Sequence, residues 1–345
     1  MTSVLRRPRP CRSPSLRRSF AGAALAAACL APGLSVAQSA DRSLQSYPER
    51  PVRIVVPYGA GGAADILARM MADKLGQIWG QSVVVENKPG GVGTIGIMSV
   101  VSAPADGYTL VSVPVSDLSV NPHLYRNRPF NVSTDLAPVS QVGAVPNVLV
   151  VSASSGITDA NALIALARSK PGAVTYSSPG VGSQAHLAAE MFAEAIGVKL
   201  LHVPYNGVAQ ALADVAKGQV DLMFAQLPAV LPMVRGGRLL NLGVAAEART
   251  ELAPEVPTLK EVTGKSLGDA VSWSGLMAPA KTPLALRQKI AADVTRAMQS
   301  PDMRQRLAQQ GVVGLGGTPQ ALAAAIAADS ERYGKVIRAL NLSLD

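Results

Sequence analysis

The sequence predicts an α/β protein made of two similar units, each a mostly parallel sheet flanked by helices. Three observations carry that expectation. Short Val and Ile runs alternate with segments whose apolar residues recur at helical spacing. The strand runs are continuous instead of alternating with polar residues, as in strands covered on both faces. The series also starts afresh after Ser155-Gly156, at a distance suited to a second unit of similar size.

In chain order, a leader comes first. Arg6, Arg7, Arg9, Arg12, Arg17 and Arg18 precede an apolar, alanine-rich run from Phe20 to Leu34 and the small-residue site Ser35-Val36-Ala37. This is the pattern of a secretory signal peptide over residues 1–37, cut after Ala37. The run is shorter than the roughly 20 residues that span a bilayer, so an exported, soluble chain is expected. Arg17-Arg18-Ser19-Phe20 also resembles a twin-arginine signal, which leaves the export route open. Both cysteines, Cys11 and Cys29, fall in the leader, so neither a disulfide nor a thiol nucleophile is expected after cleavage.

In the first unit, Val52 to Val56 reads as a strand, and Ile66, Leu67, Met70, Met71 and Leu75 share one helical face. Ser82 to Glu86, Thr109 to Val113 and Val148 to Val151 continue the strands. The second unit reads as a helix from Thr158 to Ser169 capped by Thr158, a strand Val174 to Ser177, a helix Gln184 to Ile196 and a strand Leu200 to Val203. A helix Val208 to Lys217, the run Val220 to Phe224, a helix Pro228 to Arg235 and a strand Leu239 to Ala245 follow. The tail from Pro283 to Leu344 reads as helices begun by Pro283, Pro301 and Pro319, and these must cover the first sheet. The expected domains are therefore 48–151 with 275–345, and 152–274. Crossings near Val151 and Ser274 would form a hinge with a cleft as the default ligand site.

Composition removes several function classes. Six of the 32 basic residues are leader arginines, and without them the formal +9 shrinks to about +3, too little for a nucleic-acid or anionic-membrane surface. Aromatic residues are only 4% of the chain, which argues against sugar-stacking platforms. His123, His186 and His202 lack ligand-like spacing, so no metal is expected. No acid pair suits glycoside chemistry, and Gly180-Val181-Gly182-Ser183 is not a nucleophile elbow. Neither an enzyme nor a cofactor is the first expectation.

The chemistry is instead offered by two glycine-rich turns that each follow a strand and open a helix. The opening turn of a helix has amides without intrahelical partners at the positive end of the macrodipole, which suits an anion. The first turn supplies Tyr58, Gly59, Ala60, Gly61, Gly62 and Asp65; the second supplies Ser178, Pro179, Gly180, Gly182, Ser183 and His186. Asp65 reads either as an acid complementing the helix dipole or as an acceptor for a ligand group. Ser183 reads as a helix cap and His186 as a helix-start residue or pocket wall. Tyr205-Asn206, after the next strand, and Gln226 are further ligand candidates. A second reading is an exported NAD(P)-dependent oxidoreductase: Gly59 to Ala64 fits G-x-G-x-x-A, and Glu86 closes the next strand where such a fold holds a ribose.

These residues resemble the substrate-binding proteins of tripartite tricarboxylate transport, the Bug (TctC-like) family. The resemblance is carried by Tyr47-Pro48, Arg50 to Pro57, Gly61-Gly62 with Asp65, Glu86 to Gly91 and Asp106 to Leu110. It continues through Gly182-Ser183, His186-Leu187, Val203 to Tyr205, Gly218 to Asp221, Pro257 to Leu259, Trp273 to Gly275 and Ala278-Pro279. It implies a monomeric periplasmic Venus-flytrap receptor, type II-like, that closes on a small organic carboxylate and delivers it to membrane permease subunits. It also implies that Tyr58 to Gly62, Asp65 and Ser178 to Ser183 hold the carboxylate. The chain departs from the family pattern at Ala64, where a hydroxyl is usual, at Val208-Ala209, and over Pro114 to Asp117. These departures concern the ligand.

Overall fold

The computed structural model describes residues 46–60, 63–205, 207–265 and 271–344. The leader with its predicted cleavage site, Gly61, Gly62 and Asn206 lie outside the described residues. The chain from Pro48 runs β1 (Val52–Val56), α1 (Ala63–Trp79), β2 (Val83–Asn87), α2 (Thr94–Val101) and β3 (Thr109–Pro114). Val52, Ile54, Val55 and Val56 are fully buried, which is why β1, inside the sheet, is apolar except for Arg53, whose guanidinium reaches out to Glu86. Each such side chain contributes roughly 1.5–3 kcal/mol. A single π-helical turn, Ser116–Val120, then leads through α3 (Asn121–Leu124) and α4 (Val132–Asp135) to β4 (Leu136–Val145).

After Pro146 the chain enters a different sheet. It continues as β5 (Asn147–Ser152), α5 (Ala160–Ser169), β6 (Thr175–Ser178), α6 (Gln184–Ile196), β7 (Leu201–Pro204), α7 (Val208–Ala216), β8 (Leu222–Gln226), α8 (Leu227–Arg235) and β9 (Leu239–Val244). A short α9 (Leu259–Thr263) precedes β10 (Ser272–Pro279), and the tail adds α10 (Leu284–Met298), α11 (Pro301–Gln309), β11 (Val313–Gly314) and α12 (Pro319–Ala339). The strand orders are β11-β4-β10-β3-β1-β2 and β7-β6-β8-β5-β9. The chain thus leaves the first sheet at Pro146 and rejoins it at Ser272, where the sequence suggested Val151 and Ser274.

The α/β architecture with two sheets is as expected, and its parallel pairing is concentrated in β1 to β3 and β6 to β8. β1 pairs in parallel with β2 and β3, and β6 with β7 and β8. β10, β4 and β11 pair antiparallel, as do β5, β8 and β9, because these strands sit beside the crossings and return the chain. The prolines start the tail helices as expected: Pro283 caps α10, and Pro301 and Pro319 are first helical residues. α10 and α12 pack on β4, so the tail covers the first sheet. One cap is different: Asp159, not Thr158, caps α5, its carboxylate accepting Ala162 N–H at 2.8 Å. A carboxylate is as good a cap as a hydroxyl, and Asp159 has the extended backbone a cap requires.

Helix α6 serves two cores at once. Phe192 and Ile196 pack with Tyr176, Leu222 and Phe224 of the second sheet. Leu187 and Met191 join Val113, Leu118, Leu124, Trp273 and Tyr333 of the first. This double packing fixes the start of α6, and with it the second glycine turn, against the first sheet's π-helical segment.

Candidate functional site

Parallel strands place their following turns together at their carboxyl ends, where open α/β sheets bind ligands. The turns after β1, β2 and β3 are brought together in this way. Tyr58 donates its hydroxyl to Asp117 Oδ2 at 2.7 Å. Asp117 is fully buried in the π-helical turn and also accepts Asn121 Nδ2–H at 3.0 Å. Arg128 donates to the Asp117 carbonyl at 3.2 Å, and its Nη2 lies 3.7 Å from Asp117 Oδ1. Burial pushes the Asp117 carboxyl up to about 6, against the opposing pull of Tyr58, Arg128 and Asn121. The same burial, with the Asp117 charge, pushes the Tyr58 phenol up.

Asp65 is almost wholly buried in the first turn of α1, and its carboxylate is occupied. It accepts Arg69 Nε–H at 3.0 Å and Asn87 Nδ2–H at 2.9 Å. Asn87 also donates to the Tyr58 carbonyl at 3.0 Å, so one amide at the end of β2 holds both ends of the first turn. The sequence reading passed over Asn87. A polar residue ending an apolar strand, just before Lys88-Pro89-Gly90-Gly91, is the signal that marks it. Between these anchors Gly59 and Ala60 are exposed, and their amides donate to no partner among the described residues.

The second turn is more self-contained than its glycines suggest. Gly180 donates its N–H to Ser178 Oγ at 3.2 Å, and Ser183 donates to the Gly180 carbonyl at 3.3 Å. Gly182 donates to His186 Nδ1 at 3.0 Å, and Ser183 caps α6 by accepting His186 N–H at 3.3 Å. The donors left in this turn, among the described residues, are the backbone amides of Val181, Gln184 and Ala185 and the Gln184 side-chain Nε2. The expectation that the glycines themselves offer bare amides is therefore corrected here: their small size lets the turn fold back on its own polar groups. Gly182, with φ +76°, rests on α3, because a Cβ there would lie 2.7 Å from Leu124 Cδ1. The path Tyr58, Asp117, Asn121, Leu124, Gly182 thus joins the two turns through the π-helical segment.

Behind the second turn the rings of Tyr176, His202 and His186 stack. The His186 and His202 centroids are 4.2 Å apart, and Tyr176 to His202 is 4.8 Å. Burial lowers His186, and burial with His186 beside it lowers His202 to about 4, so both are neutral near pH 7. His202 Nε2 lies 2.7 Å from Ser178 Oγ, and Tyr176 donates to Glu190 at 2.5 Å. His186 is buried, and its acceptor nitrogen holds the turn.

The remaining candidates are placed as follows. Tyr205 donates its N–H to the Ser178 carbonyl at 2.9 Å and its hydroxyl to Asp214 at 3.0 Å, so it braces the second turn from β7. Gln226 ends β8 opposite Asn147, beside the crossing at Pro146. Pro179 is half-buried at the turn's start. Glu86, the residue a dinucleotide would need, is engaged by Arg53 at 3.2 Å and Lys88 at 3.4 Å. A cavity of about 730 Å³ opens elsewhere, between α12 and the segment from Leu118 to Pro138, and none of the predicted ligand residues lines it. Its lining includes Leu118 and Arg128, which flank Asp117, and Ala323, Ile326, Ala327 and Ser330 of α12.

Comparison with known proteins gives one family throughout. The model of the tripartite tricarboxylate transporter family receptor matches residues 67–342. The chain is 35% identical over 307 residues to the protein BugT of Bordetella pertussis, covering 89% of this chain and 93% of that one. Among solved structures it is similar to R. palustris Rpa4515 with adipate, at 33% identity and a TM-score of 0.71, covering 86% of this chain and 100% of that one. It is similar also to MatC from Rhodopseudomonas palustris with bound malate, at 27% identity and a TM-score of 0.65, covering 84% and 100%.

Proposed function

This chain belongs to the tripartite tricarboxylate transporter receptor family, and from that premise we propose that it captures a small organic carboxylate between the turns at Tyr58 to Asp65 and Ser178 to His186. The family consists of transport receptors, not enzymes, and the oxidoreductase reading finds no support in it. The observation that carries the site is the pair of helix starts with amides to spare: Gly59 and Ala60 on one side, Val181, Gln184 and Ala185 on the other. Hydrogen bonds to a charged partner contribute about 1.5–3 kcal/mol each, so four or five of them suffice for micromolar binding after the cost of ordering. Asp65, Ser178, His186 and Tyr205 position the turns, and Gly61, Gly62 and Asn206 add donors.

In this reading the two sheets divide the chain into 48–146 with 272–345 and 147–271, in place of the expected bounds at 151 and 275, and the ligand favours the state in which both sets of donors reach it. The receptor works as a monomer in the periplasm, exported by the leader and cut after Ala37, and hands its ligand to the permease subunits of the transporter. The relatives solved with adipate and malate are consistent with an acid of this size. The test is a thermal-shift and calorimetric screen of mono-, di- and tricarboxylates. An acid at 100 times its Kd adds about 2.7 kcal/mol of stability. If no acid of any class shifts the melting point or releases heat, the proposal fails.

A further inference from the structure

Among the described residues, five of the nine large apolar side chains left in solvent follow the carboxyl ends of parallel strands, and Val84, Leu201, Leu284 and Leu344 lie elsewhere. Ile66, Val92, Ile95, Val181 and Val208 are between 38% (Ile66) and 57% (Ile95) exposed and make up most of the large apolar residues exposed among the described ones. Each follows the carboxyl end of a parallel strand: Ile66 after β1, Val92 and Ile95 after β2, Val181 after β6, Val208 after β7. Val92 is also held at φ +49°, a left-handed conformation that a β-branched residue rarely adopts and that costs stability to maintain. Its turn lies against the site, since a Cβ on Gly93 would meet Asp117 Oδ1 at 3.0 Å.

The charge pattern is equally one-sided. Residues 58–66, 89–95, 179–186 and 205–209 contain no Lys or Arg, and the acid among them, Asp65, is already paired with Arg69. Arg69 and Lys88 flank the first turn but are paired with Asp65 and Glu86, so amide donors must offset most of the negative charge a ligand brings, and each additional carboxylate buried without a cation of its own carries a desolvation cost. Hydroxyl groups on the ligand would face these apolar side chains and lose water without gaining partners.

We infer that the ligand is a carboxylate with an apolar alkyl or aryl body, selected by the rim of Ile66, Val92, Ile95, Val181 and Val208 against hydroxylated acids and tricarboxylates. This rests on the carboxylate-receptor reading and names its substrate class. The test is calorimetry of the exported chain with butanoate, hexanoate, succinate, malate and citrate, repeated on Ile95→Asn and Val181→Asn. Both side chains are exposed, so both variants keep their fold. Burial of each methylene makes hexanoate bind roughly fourfold tighter per carbon than butanoate. Malate, differing from succinate by one hydroxyl, binds more weakly than succinate, and citrate is the weakest. In the variants the methylene dependence flattens. An equal affinity for butanoate and hexanoate, or malate or citrate binding more tightly than hexanoate, overturns the apolar selection and leaves a carboxylate receptor standing. Absence of binding by every acid removes the receptor reading itself and the inference with it.

Discussion

Replacing Gly182 by Ala tests whether the second turn rests on the first sheet. Two costs apply. The residue sits at φ +76°, where a Cβ costs about 1–2 kcal/mol. The new Cβ would also stand 2.7 Å from Leu124 Cδ1, and Leu124 is 2% exposed, so it cannot swing aside; overpacking of that kind costs about 1–3 kcal/mol. The sum, roughly 3 kcal/mol, corresponds to a melting temperature lower by about 6–10 °C in a protein of this size. Gly180→Ala is the control, because Gly180 has φ +138° and nothing within 4 Å of a Cβ, which leaves strain alone. Urea unfolding of both variants, and of Gly182→Ala combined with Leu124→Ala, separates the terms. The contact predicts a coupling of about 1–3 kcal/mol between positions 182 and 124. Additive effects within about 0.5 kcal/mol, or equal losses for the two glycine variants, would refute the turn's seating on α3.

Three other outcomes follow from the site's bonding. Asp65→Ala removes the acceptor shared by Arg69 and Asn87 and costs about 2–4 kcal/mol in urea unfolding, with Asp65→Asn losing less because one acceptor oxygen survives. Tyr58→Phe leaves Asp117 with one donor fewer, costs about 1–3 kcal/mol, and moves the carboxyl's titration further above about 6, which a pH series of unfolding midpoints detects. The histidine stack sets an acid dependence: His202 titrates at about 4 in the fold against 6.5 in the unfolded chain. The unfolded state therefore takes up the proton first, and stability is lost as pH falls from about 6.5 to about 4. Asp117 acts in the opposite sense, because its raised value of about 6 against 3.8 makes stability fall as pH rises across the same window. His202→Phe, which keeps the ring stack, flattens the loss of stability on acidification, because the opposing Asp117 trend then meets less resistance. A variant whose pH profile runs parallel to that of the unaltered chain would contradict this assignment.

What could be read from the residues, and what could not, divides along physical lines. β1, α1, β6 and α6 were legible because their apolar residues keep one period and their turns carry glycine; α6 matches its expected bounds, Gln184 to Ile196. β4 and β10 were not, although they are long, central strands. Pro138, Gly143 and Gly275 interrupt their patterns, and irregular register at Ser274/Gly275 and Leu276/Met277 absorbs the interruption. The π-helical turn at Ser116–Val120 was equally hidden, since its reason for existing is tertiary: it carries Asp117 to Tyr58. At the site, sequence identified the turns but not which amides remain available. That depends on His186 Nδ1 and Ser178 Oγ reaching back to Gly182 and Gly180, contacts that no spacing rule encodes.

One residue, Pro146, separates β4 of the first sheet from β5 of the second. Its carbonyl accepts Leu227 N–H at 2.9 Å, and the carbonyl of Asn147 accepts Ala245 N–H at 2.8 Å, so the outgoing chain is tied to the second unit within two residues of the join. A ring-locked φ and two anchored carbonyls leave this junction little freedom to twist. The chain crosses back before Ser272, so any swing of one sheet against the other must be shared by both joins, and small angles there become long arcs at the remote ends of the molecule.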